Sequence, residues 1–160
     1  MKQIHICSLK EFKFLLREGK IDTDNSYALI SSSYPLPELP NMRYSFECYD
    51  DIDFDCRGRT FSFEGASKFA KAIKENAGIQ NWWFVCDGGC RRSSATACAA
   101  LRYWGDEPGE FAIWSDPLKE PNVLVYEMLC NALNPIDATN LDLRIYTNRT
   151  AIKNAIRGGK

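Results

Sequence analysis

Between an apolar run and an alanine-rich segment lies Val85-Cys86-Asp87-Gly88-Gly89-Cys90-Arg91-Arg92-Ser93-Ser94. If the first part is a strand and the second a helix, the backbone N–H groups of the turn converge with the positive end of the helix dipole, which makes an anion site. Two glycines let such a turn curl without Cβ clashes. A thiolate at its mouth is stabilised by the helix N-terminus and by adjacent arginine. Arg92, six residues after Cys86, can return to the rim and grip an oxyanion through two parallel hydrogen bonds. A nucleophilic thiolate beneath a bound tetrahedral anion is suited to attack at phosphorus. The C-x5-R spacing alone is weak, since seven cysteines and ordinary arginine usage give one chance match in about three such chains. Requiring the glycine, the serine after the arginine and the strand-to-helix setting lowers that to below about 1%.

The elements that must position this segment are legible as strands alternating with helices. Residues 2–7 alternate weakly as a first strand, and Ser8 with Glu11 stands at capping-box spacing ahead of Phe12, Leu15 and Leu16. Residues 27–30 read as a buried strand, followed by an irregular loop around Pro35, Pro37 and Pro40. Residues 42–49 form another strand that runs into an acidic cluster, Asp50, Asp51, Asp53 and Asp55. Phe63, Ala66, Phe69, Ala70 and Ile73 repeat with a helical period up to Gly78. Residues 82–85 are continuously apolar, as in the middle of a parallel sheet. Residues 93–104 are helical and end at Gly105, Pro108 and Gly109, and a last apolar helix follows Pro121 and reaches Leu133. The expected fold is a single α/β domain over residues 1–160, its central, mostly parallel sheet flanked by helices on both faces, with a basic tail over 143–160.

Composition narrows the chemistry further. A chain of 160 residues builds its own core without metal or disulfide staples. Its formal net charge of −1 argues against a protein that blankets nucleic-acid phosphate, and the five tail cations read as a solvated helix face. A single histidine, His5, excludes a multi-histidine metal site and makes a Ser-His-Asp triad a poor candidate. No metal or other cofactor is implied. The seven cysteines lack C-x2-C spacing and read as reduced thiols, Cys98 and Cys130 as small buried hydrophobes. The first residues lack the long apolar segment of a secretory signal, and no run approaches the ~20 residues that cross a bilayer. The expectation is a soluble, cytoplasmic protein without a membrane partner.

Residues 86–93 match the C-x-x-G-x-x-R-S signature of the cysteine-dependent protein tyrosine and dual-specificity phosphatases, and the sequence resembles that family. Tyr49-Asp50-Asp51-Ile52 looks like the aromatic-x-Asp-Ile segment of small bacterial members, and Pro121-Asn122 like the opening of the helix after the signature helix. The resemblance covers about residues 25–135 and implies a phosphotyrosine-phosphatase-like fold. It also implies a two-step mechanism on a phosphorylated protein or small phosphomonoester. Cys86 would form a phosphocysteine. Arg92 and the P-loop backbone of Asp87, Gly88, Gly89, Cys90 and Arg91 would hold the non-bridging oxygens. Ser93 would hydrogen-bond the Cys86 sulfur, and a carboxylic acid would protonate the leaving group.

By the same likeness Asp51 is the first choice for that acid, ahead of Asp53, Asp55 and an Asp116-Pro117 pair that a turn also explains. Two departures stand out. Val85 replaces a histidine that in most of these phosphatases orients the loop and favours the thiolate, which implies a slower enzyme. Cys90 inside the loop is either a redox partner of Cys86 or an outward-pointing small side chain. Three other readings compete. Residues 86–91 also fit C-x-x-G-x-R, resembling rhodanese-like sulfurtransferases, with Cys86 as persulfide carrier and Arg91 as oxyanion ligand. A catalytically weak phosphatase-like module could keep the loop only to bind a phosphorylated partner. An ordinary βα turn is the plainest reading.

Overall fold

A computed structural model describes residues 2–54 and 58–134. In chain order the main elements are β1 (Gln3–Ser8), α1 (Leu9–Arg17), β2 (Ser26–Ser32), β3 (Tyr44–Cys48), α2 (Phe63–Glu75), β4 (Asn81–Cys86), α3 (Arg92–Tyr103), α4 (Glu107–Ser115) and α5 (Val123–Leu133). The strands form one parallel sheet in the order β1-β4-β2-β3. Helices cover both faces, as the alternation predicts. Asp55 and the basic tail lie outside the described residues. Among the described residues no helix is long and apolar enough to cross a membrane.

The period of two along a strand explains why β4 is apolar throughout. Trp82 and Phe84 point into the larger core with α2, α3, α4 and α5, while Trp83 and Val85 point into a smaller one beneath α1, against Phe12, Ala28 and Ile30. Val85 is therefore committed to the dry face under α1, where an imidazole would have little but hydrocarbon around it. On the other face, α3 contributes Ala95, Ala97, Ala99 and Ala100, small residues that let the helix lie close to the sheet.

Register then brings chemistry to one edge. Cys86 ends β4 opposite Ser8 of β1 on one side and Ser31 of β2 on the other. The carboxyl ends of the strands thus place residues 8, 31–33, 48–49 and 86–91 together, the edge at which open parallel sheets take their ligands.

Side-chain caps fix where the helices start. Ser8, Ser62 and Asn122 each accept from the N–H three residues on, at 3.1, 2.9 and 3.1 Å. One element departs from the expectation. Pro108 and Gly109 read as breakers, yet α4 begins just before them. Proline is tolerated in a first helical turn, and Asp106 caps Gly109 N at 2.9 Å. A Cβ on Gly109 would meet the Asp106 carboxylate at 2.5 Å, so the glycine belongs to the cap.

The helical layer buries two carboxylates. Glu110 accepts from the Tyr126 hydroxyl at 2.6 Å, the Trp114 indole at 3.1 Å and Arg102 Nε at 3.2 Å, so its burial is compensated. Glu127 is pushed up to about 7, first by burial and then by the charge of Glu110, with Arg102 opposing. A carboxyl raised above its ordinary 4.5 binds its proton more tightly in the folded protein. Its contribution to stability is complete below that value and is lost as pH rises through about 7. Glu127→Gln is expected to stabilise the protein by about 2–3 kcal/mol at pH 8 and to leave it unchanged near pH 4. Urea unfolding at the two pH values measures this difference.

Candidate active site

The turn from β4 into α3 is built around one glycine. Gly89 has φ 67°, and a Cβ there would meet Ser8 N at 2.5 Å and the Cys7 carbonyl carbon at 2.7 Å. The loop thus lies directly on the backbone end of β1, an approach that only glycine permits. From the other side Lys119 Nζ donates to the Gly89 carbonyl at 2.8 Å. Gly88 has open space around it and carries no such demand.

Cys86 is buried at the foot of this loop, its sulfur 3.2 Å from the Ser93 hydroxyl in the first turn of α3. Arg92, 6% exposed, is spread over three structural elements. One terminal nitrogen donates to the Tyr49 carbonyl at 2.7 Å and to Ser33 Oγ at 3.1 Å, and the other pairs with Asp87 at 3.0 Å. Its Nε–H is buried with no partner. A buried guanidinium with its Nε–H unspent, beside a converging loop of amides, is suited to receive an oxyanion.

Asp87 holds that arginine in place. Its carboxylate accepts from Ser32 Oγ at 2.6 Å and from the Ser33 N–H at 2.9 Å. Burial works against its charge, but these hydrogen bonds and Arg92 outweigh it and hold the carboxyl below its ordinary value. The Asp87 side chain is thus spent on Ser32, Ser33 and Arg92.

The acidic segment meets the same region through Arg91. Arg91 Nε is 2.8 Å from Asp51 Oδ2, and its NH2 nitrogen is 2.8 Å from Asp53 Oδ2. Asp51 Oδ1 accepts from Asn122 Nδ2 at 2.7 Å. Asp50 instead pairs with the exposed Arg59 at 3.0 Å. Asp116 caps the turn it begins, accepting from Leu118 N at 2.9 Å. The Cys90 thiol donates to the Leu118 carbonyl at 3.2 Å, so in this arrangement it faces the residue 116–120 turn. The six cysteines among the described residues are free thiols. Burial pushes those of Cys7, Cys98 and Cys130 up, Cys7 to about 12, which leaves them inert packing groups.

Several members of this assembly escape a reading of motifs. Ser32 and Ser33 orient Asp87 and Arg92, Tyr49 offers its carbonyl to Arg92, and Ser31 accepts from the buried Tyr49 hydroxyl at 2.7 Å. The one sequence signal was three consecutive serines closing an otherwise apolar strand. Asn122, fully buried, ties its own helix cap to Asp51 and to the Ile52 carbonyl.

No family model matches the chain, and no curated protein matches it in sequence. Among solved structures it is similar to the crystal structure of PTPMT1 in complex with PI(5)P, with a TM-score of 0.53 over 81% of this chain and 89% of that one, at 16% identity. The two share an α/β fold with a parallel sheet between helices. At this identity the likeness is one of architecture.

The glycine asymmetry gives a direct test of the loop. Gly89→Ala is expected to weaken vanadate binding by about tenfold or more and lower the melting temperature, because φ and the Ser8 contact both oppose a side chain. Gly88→Ala is expected to change both far less. Vanadate titration and thermal melts of the two variants make the comparison.

Proposed function

We propose that the chain is a phosphomonoester hydrolase of the protein tyrosine/dual-specificity type, acting through a phosphocysteine on Cys86. The observation that carries this reading is the buried Cys86 sulfur at the foot of a loop whose buried Arg92 keeps a free Nε donor. The fold likeness to a structure holding a phosphoinositide is consistent with a phosphomonoester substrate, on a protein or a small molecule.

In the first step the Cys86 thiolate attacks phosphorus, and the S–P bond forms as the P–O bond to the leaving group breaks. Arg92 and the amides of residues 87–92 hold the three non-bridging oxygens, where transition-state charge accumulates. Asp51 gives its proton to the departing oxygen. In the second step water attacks phosphorus, the Asp51 carboxylate takes its proton, and the Cys86 thiolate leaves, with the Ser93 hydroxyl 3.2 Å from the sulfur and turned to donate once the thiol proton is gone. Phosphate then departs. No metal or cofactor enters these steps.

A sulfurtransferase would need Arg91 at the anion, but this guanidinium is held by Asp51 and Asp53. The phosphatase reading accounts for both arginines, and the sulfurtransferase reading for neither Asp51 nor Asn122.

The reading predicts hydrolysis of an aryl phosphate with vanadate inhibition. Cys86→Ser is expected to abolish turnover, and Arg92→Lys to lower kcat/KM by about 10²–10³, since a lysine cannot reproduce the fork. In a plot of rate against pH, Asp51→Asn should lose the basic limb. An unchanged profile would remove Asp51 from the mechanism, and thiosulfate turnover that survives Arg92→Lys but not Arg91→Lys would replace the phosphatase with a sulfurtransferase.

A further inference from the structure

Two adjacent arginines leave the same turn with opposite partners. Arg92 faces Cys86's loop through Asp87, Ser33 and Tyr49. Arg91 pairs with carboxylates instead: NH2 donates to Asp53 Oδ2 at 2.8 Å, Nε lies 2.8 Å from Asp51 Oδ2 as an ion pair without a hydrogen bond's alignment, and NH1 is 3.9 Å from Glu120. Its backbone carbonyl accepts from Asn122 N at 3.1 Å, and the Asn122 side chain returns to Asp51 Oδ1. Asn122 thus holds one oxygen of the Asp51 carboxylate by a hydrogen bond, the charge of Arg91 lies against the other, and the two residues are themselves joined through the backbone.

We propose that Arg91 is a positioning residue that docks the Asp51 segment onto the phosphate-binding loop, with Asn122 as the second point of attachment. This rests on the phosphatase reading above and assigns within it a part for Arg91 other than binding phosphate. The segment over residues 50–54 has no helix or strand of its own, so its place relative to Cys86 depends on such contacts. Ordering a carboxylate beside the phosphate-binding loop is an entropic contribution made before the chemistry begins. Asp53 has a distinct part in this. When Asp51 carries the proton it will donate, Asp53 remains as the counter-ion of a guanidinium that is only 25% exposed, so the latch need not open.

A residue that acts through the general acid and one that binds phosphate differ in how they respond to the leaving group. Phenyl phosphate needs its departing oxygen protonated, whereas dinitrophenyl phosphate departs without that help. Arg91→Ala is expected to lose about 10–100-fold in kcat on phenyl phosphate, far less on dinitrophenyl phosphate, and to keep vanadate inhibition within about twofold. In an Asp51→Asn background the same substitution should add little, because both changes remove one function. Arg91→Lys should recover only part of the loss, since one ammonium cannot serve two carboxylates in fixed directions. Thermal melts of each variant separate a lost latch from a lost fold. Equal losses on both substrates with weakened vanadate binding would make Arg91 a phosphate ligand and overturn the proposal. So would full additivity with Asp51→Asn, or no loss at all. These outcomes differ from failure of the underlying reading, in which Cys86→Ser would retain turnover of both substrates.

Discussion

The ion pair between Asp87 and Arg92 is the constraint on which the site depends. A guanidinium this buried is costly unless its donors are met, and breaking such a pair leaves an uncompensated charge inside the protein. Here the partners come from three places in the chain: Asp87 in the loop itself, Ser33 after β2, and the Tyr49 carbonyl after β3. Ser32 and the Ser33 N–H in turn fix Asp87. The strand ends and the loop are therefore set by one network, which leaves the Arg92 Nε–H without a partner.

The parallel sheet supplies the frame for this network. Its register puts Ser8, Ser31 and Cys86 level with one another, and the backbone of β1 forms the floor against which Gly89 is pressed. On the far side, α5 reaches the site through its cap. Asn122 serves its own helix, the Arg91 carbonyl and Asp51 at once, so the orientation of α5 and the placement of the acidic segment are coupled. Adjacent arginines part in direction: Arg92 turns to Asp87 and the strand ends, Arg91 to the carboxylates of Asp51 and Asp53.

What the sequence made legible follows from how local each signal is. The apolar run of β4, the Gly88-Gly89 turn and the alanine-rich α3 are contiguous, so the strand-turn-helix frame around Cys86 and Arg92 could be read directly. The alternation of elements likewise foretold a parallel sheet covered on both faces. α4 was hidden because Pro108 and Gly109 usually end helices, and only the Asp106 cap reverses their meaning. Ser32, Ser33 and Tyr49 are distant in sequence from the loop they hold, and no spacing links them to it. Arg91 had matched one motif as an oxyanion ligand and the other only through its backbone N–H, and its ion pairs with Asp51 and Asp53 arise only when the chain has folded.

The central claim is that Cys86 carries the phosphoryl group. Acid quenching during steady turnover of an aryl phosphate, followed by mass spectrometry of the peptide containing residues 82–91, tests it most directly. The account predicts a phosphoryl group on Cys86 that vanishes when substrate is exhausted and is absent in Cys86→Ser. Sustained turnover with Cys86 unmodified, or with the label on another side chain, would contradict it.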